Sequence, residues 1–179
     1  KRLGVETMGE FRSGFGTFNS TQNPFLTGMV AMVKQGPWMA NYIEHLKPEM
    51  NRWKMSKEQE ATLPREQRKQ NYAWAAAPFP SAVPGLENVS YCGFDTLVIP
   101  RGARHPKEAF EFIAFVNRQD VMERLNTLHC KNSPLTKVSD EFLENHPNPY
   151  IDVFEQLASS PNARALPSIG IWPHVAAEL

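Results

Sequence analysis

An asparagine–proline pair followed by an apolar run that closes on Gly36-Pro37-Trp38 restricts this chain more than any other feature. Asn23 can accept hydrogen bonds from the first unpaired backbone N–H groups of a helix, and Pro24 has φ preset for the first helical position. Phe25, Met29, Met32 and Val33 fall at helical spacing, so the pattern predicts an amphipathic helix over 24–35 with one apolar stripe. Gly36 is placed to take the left-handed conformation that ends such a helix, delivering Trp38 to a turn. On periodicity alone this is an ordinary core helix followed by a buried tryptophan. Other segments change that reading.

At 179 residues the chain is long enough for about one domain with a substantial core. Its 19 acidic and 19 basic residues cancel, which leaves no basic field to hold a nucleic acid. No apolar run approaches the ~20 residues of a membrane span, and no signal peptide opens the sequence. The chain starts at Lys1 and stops two turns into a helical pattern after Trp172, so both ends read as cuts within a longer protein. Cys92 and Cys130 fit neither a zinc framework nor a disulfide-dense scaffold. A bridge between them and a pair of free thiols are both open.

Along the chain, a helix end and a Gly/Ser/Asn-rich loop precede Asn23, and a second helical piece covers 39–46. Residues 47–70 are dense in Lys, Arg, Glu and Gln. They read as a solvated helical excursion packed by Trp53 and Met55. Tyr72–Ala77 suits a strand, and 89–100 a second strand region whose apolar, β-branched end, 94–99, reads as buried. Pro106 opens the clearest helix, with Ala109, Phe112, Ile113 and Val116 as its core face. Further helices are expected over 119–128, after Ser139, and over 150–157 behind the Asn148-Pro149 pair. Strands alternating with helices argue for α/β architecture.

Convincing catalytic constellations are missing. The five histidines never fall at H-x-x-x-H spacing, so no metal is expected, and Ser13-Gly14-Phe15-Gly16 lacks the spacing of a nucleotide loop, so no cofactor is expected either. His129 beside Cys130 invites a thiol–imidazole pair, but catalytic Cys/His partners usually come from distant segments. Asp95 has no second carboxylate at a recognisable spacing. A hydrolase using Asp95 or Cys92 is therefore the weaker alternative.

Four segments, in order, resemble the sugar-binding, maltose-binding-protein-like extracellular solute-binding proteins of ABC transporters. They are Asn23-Pro24-Phe25…Gly28…Ala31-Met32…Gly36-Pro37-Trp38; Ala77-Pro78-Phe79-Pro80; Gly93 to Ala103 with Pro106 to Ile113; and Arg164-Ala165-Leu166-Pro167…Ile171-Trp172. The resemblance implies the C-terminal portion of a two-lobed, type II periplasmic-binding-protein-like α/β fold that lacks most of the N-terminal lobe. Residues 1–94 would belong to the C-terminal lobe, 95–145 would cross into the N-terminal lobe, and 146–179 would return. A sugar or oligosaccharide would bind between the lobes without chemistry and pass to the permease subunits of an importer, in the periplasm or outside the cell, with a lipid anchor one option. The fragment would be prone to self-associate. By the same resemblance Trp38 and Trp172 stack on sugar, Gly93 and Phe94 line the approach near the crossover, and Asp95 and Arg164 exchange hydrogen bonds with hydroxyls. Cys92 departs from the small residue common there. A domain of this fold that has lost its ligand is a further alternative, and it requires Trp38 to be covered.

Overall fold

The computed structural model describes residue 17, residues 19–165 and residues 174–175. The expectations for residues 1–16 and for Trp172 lie outside them. The elements in order are α1 (Met39–Leu46), a 3-10 turn (Pro48–Met50), α2 (Lys57–Glu60), α3 (Arg65–Arg68) and a second 3-10 turn (Lys69–Asn71). Next come β1 (Ser90–Tyr91), α4 (Pro106–Val116), α5 (Gln119–His129), α6 (Asp140–Asn145), α7 (Ile151–Ala158) and β2 (Ala163–Arg164). β1 and β2 pair in parallel, Ser90 opposite Ala163 and Tyr91 opposite Arg164, and Cys92 N–H extends the pairing to the Arg164 carbonyl at 2.8 Å. Helices α4 to α7 form the connection that a parallel pair requires.

The Asn23-Pro24 device forms, but a single turn follows it in place of the expected helix. Asn23 Oδ1 accepts from Phe25 N at 2.9 Å and Leu26 N at 3.4 Å, and Thr27 N closes the turn on the Asn23 carbonyl. Gly28 then takes φ +76°, so the left-handed stop falls there and not at Gly36. The expected stripe is undone with it. Phe25 packs on the core, but Met29 and Val33 are exposed and Met32 is 87% exposed. The core at this end is Leu26, Met39 and Ile43, with Tyr42, Leu46, Met50 and Trp74 against it. Gly36 instead makes room for a side chain, because an added Cβ would overlap the indole of Trp38.

The α/β expectation is met only by the short parallel pair. Residues 72–77 run without a ladder, and 94–99 are unpaired, with Phe94, Leu97 and Val98 exposed. A strand needs a neighbour for its backbone groups, and among the described residues none lies beside these two. The helix at Pro106 forms as its pattern dictates, yet α4 has no buried residue. Ala109, Ile113 and Val116 are half-covered, while Phe110, Phe112 and Phe115 are exposed. A helix apolar on several sides wants cover on several sides.

The charged excursion is not packed by its hydrophobes. Trp53 is 64% exposed and Met55 half-buried. Polar anchors hold it instead. Asn71, fully buried, accepts from Lys54 N and Met55 N at 2.8 Å each and donates to the Met55 carbonyl and Glu60. Arg65 and Lys69 both reach Asp152 of α7, and Arg68 reaches Glu144 of α6. Tyr72, Trp74 and Tyr150 add edge-on ring contacts.

Candidate functional site

Trp38 sits immediately before α1, on a peptide whose geometry is unusually constrained. Pro37 is buried beneath it, Gly36 leaves room for its ring, and the α1 residues Met39 and Ala40 behind it are buried. Trp38 as a whole is 37% exposed. A partly exposed aromatic ring can stack on an apolar ligand face.

Gly93, Phe94 and Asp95 follow β1 and are all exposed. A Cβ at Gly93 would meet only the Tyr91 ring at 3.6 Å, an ordinary contact, so the packing around this position does not itself demand glycine. Asp95 pairs with Lys131 at 2.7 Å, and that ammonium holds its carboxyl below the usual range. Arg164 lies in β2, where its Nη1 donates to the Pro161 and Ala163 carbonyls at 2.9 Å. Strand pairing thus brings the Gly93 segment beside Arg164. Trp38 and Asp95 are linked less directly, through Lys131, His146 and Asn148.

The two thiols are free. Cys92 is half-buried next to the strand pair. Burial pushes the Cys130 thiol up to about 12, and its Sγ donates to the Pro37 carbonyl at 3.6 Å. Such a thiol is no ready nucleophile, and the His129–Cys130 idea fails with it. Among the described residues, no group of three or more His, Cys, Asp or Glu side chains could hold a metal ion.

Sequence reasoning missed a charged cavity of about 270 Å³ between α1 and the excursion. Glu44, Arg52, Lys57, Glu60, Arg68 and Tyr72 contribute to its wall, and Trp38 does not. Arg52 and Asn51 hold Glu44 at 2.6 and 2.7 Å, and Tyr72 donates to Glu60 at 2.7 Å. Burial and the Glu60 charge push the Tyr72 phenol well above its ordinary range. Most of these charges satisfy one another, which is what folding an acid- and base-rich segment onto the body requires. The only advance signal was the charge density of 47–70.

Residues 5–147 match the family model of bacterial extracellular solute-binding proteins. The chain belongs to that family. None of the curated proteins and none of the solved structures is similar enough to match. Membership implies binding of a small solute for transport, partners in a transporter, and a place outside the cytoplasmic membrane. No helix among the described residues is long and apolar enough to cross a membrane.

Proposed function

We propose that this chain is part of a two-lobed, type II sugar-binding protein of an ABC importer, with Trp38 as the platform on which a sugar ring stacks. The observation that carries the reading is the Trp38 indole: aromatic, partly open, and mounted over a glycine that an alanine could not replace without moving the ring. A sugar presents an apolar C–H face and a rim of hydroxyls, and a partly open indole matches the first of these. The exposure of Trp38 argues against a ligand-free domain of the same fold, which would bury it. Gly93, Phe94 and Asp95 stand where a crossover between lobes would approach the ligand, and an open backbone at Gly93 suits that role. Arg164, beside them through the strand pair, and Trp172 complete the set.

The division into residues 1–94, 95–145 and 146–179 belongs to this proposal. The bare faces of α4 and of 94–99 support it, since a second lobe would cover both. Left uncovered, the same faces favour self-association. The sugar is delivered to permease subunits unchanged, from a periplasmic or extracellular protein for which a lipid anchor is one option.

The test is a thermal-shift screen of the full-length protein against mono- and oligosaccharides, repeated with Trp38→Ala. A sugar that raises Tm in the parent and not in the variant is the expected result. A stabilising sugar that acts equally on both would remove Trp38 from the site.

A further inference from the structure

The carbonyl of Pro37, in the peptide that leads into Trp38, is gripped from three directions. Ala40 N donates to it at 3.3 Å within the first turn of α1, Cys130 Sγ donates at 3.6 Å from the end of α5, and Asn148 Nδ2 donates at 2.9 Å from the turn before α7. Asn148 is 1% exposed and every polar atom it owns is used. Its Oδ1 accepts from Tyr150 N at 2.8 Å, its backbone N donates to His146 Nδ1 at 3.0 Å, and its carbonyl accepts from Ile151 N at 3.3 Å. Opening α7 needs only the side-chain oxygen, a job aspartate does as well. The amide nitrogen is what aspartate lacks, and it is the atom that reaches back 111 residues to Pro37.

We propose that Asn148 is the positioning residue of the Trp38 platform, fixing the Pro37–Trp38 peptide. Asn148 is itself backed by His146, whose Nε2 meets the Lys131 carbonyl at 3.2 Å, whereas the Lys131 ammonium meets Asp95 at 2.7 Å in an exposed ion pair outside this framework. A platform for stacking must keep its ring orientation before the solute arrives, because any freedom lost on binding is subtracted from affinity. Buried hydrogen bonds to the peptide before it supply rigidity that packing alone does not give a partly exposed ring. The functional half of this inference rests on Trp38 being the sugar platform.

The experiment labels the full-length protein with 5-fluorotryptophan and follows its fluorine spectrum, the Trp38 line being identified by its loss in Trp38→Phe. The key variant is Asn148→Asp, the same shape and still an acceptor for Tyr150 N, but with no donor for Pro37. Its Trp38 line is expected to shift or broaden while the Trp53 and Trp74 lines hold, and binding of maltotriose, the probe, to weaken about tenfold or more. An unmoved Trp38 line would overturn the proposal. So would movement of all the lines together, since Asn148 would then act only through general stability. If no line responds to maltotriose in the parent while Asn148→Asp still moves Trp38 alone, the maltotriose arm fails and the positioning role stands. Cys130→Gly gives a second check: glycine accepts the φ of +53° found there, and losing the weaker thiol donor is expected to move the Trp38 line less than Asn148→Asp does.

Discussion

Acidification should destabilise this protein through one buried histidine. His146 is 7% exposed, stacked edge-on to Phe142 at 5.0 Å between ring centroids. Its Nε2–H points at the Lys131 carbonyl and its Nδ1 accepts from Asn148 N, so the neutral ring uses both nitrogens. A second proton would have to displace the Asn148 donor. Burial, with Arg65 adding its positive charge, pulls the ring from its ordinary 6.5 down to about 4. The unfolded chain takes up a proton near 6.5 while the folded one does not until about 4. Between those limits the unfolded state binds more protons, so stability is complete above 6.5 and falls as pH drops toward 4. At about 1.4 kcal/mol for each pH unit the loss comes to about 3 kcal/mol, a large share of a typical folding free energy. The assay is urea unfolding from pH 7.5 to 4, for the parent and for His146→Gln. Gln cannot titrate, so its cost is the same at every pH. Glu155, whose carboxyl is raised by burial, titrates in both proteins and cancels in the difference. The stability gap between parent and variant should shrink by about 3 kcal/mol on going from pH 7 to 4. Parallel curves would refute the reasoning, because they would mean that His146 charges as freely in the folded protein as in the unfolded one.

Gly36→Ala should expel the Trp38 indole from its seat, since the new methyl would occupy ring space. Easier acrylamide quenching of tryptophan fluorescence is the expected result, joined under the proposed function by loss of sugar binding, and unchanged quenching would contradict it. Asn71→Ala should release the excursion. Lys54 N and Met55 N would lose their acceptor, at about 1–3 kcal/mol for a donor left dry and less where water enters. A loss of about 2–3 kcal/mol in urea unfolding, or a Tm lower by roughly 5–10 °C, is expected. Faster proteolysis within 52–70 should accompany it.

Local signals were legible in the sequence where they depend on a few neighbouring atoms. Asn23 and Asn148 act as turn-opening acceptors at the spacing expected, Pro106 begins α4, and α1 and α5 fall where their patterns put them, because capping and helical periodicity are set within a turn or two. The helix expected behind Asn23 gives way to a single turn for a related reason. Gly28 and Gly36 could each stop a helix, and the choice depends on whether Met29, Met32 and Val33 find a core. Among the described residues they do not. The strands at 72–77 and 94–99 failed likewise, since alternation describes one strand but cannot provide its neighbour.

Composition, capping and the ordered motifs by themselves determined α1, α4 and α5, the absence of a basic field, and the likeness to solute-binding proteins that the family match then bore out. Tertiary structure alone decided the rest. It joined Asn148 to Pro37 across 111 residues, turned a charged excursion into a wall fastened by Asn71 and Asp152, and gave Gly36 its purpose under an indole two residues away. The physical reason is range. A cap is complete within its own turn, whereas a buried amide must find its acceptor wherever the packed chain happens to bring one.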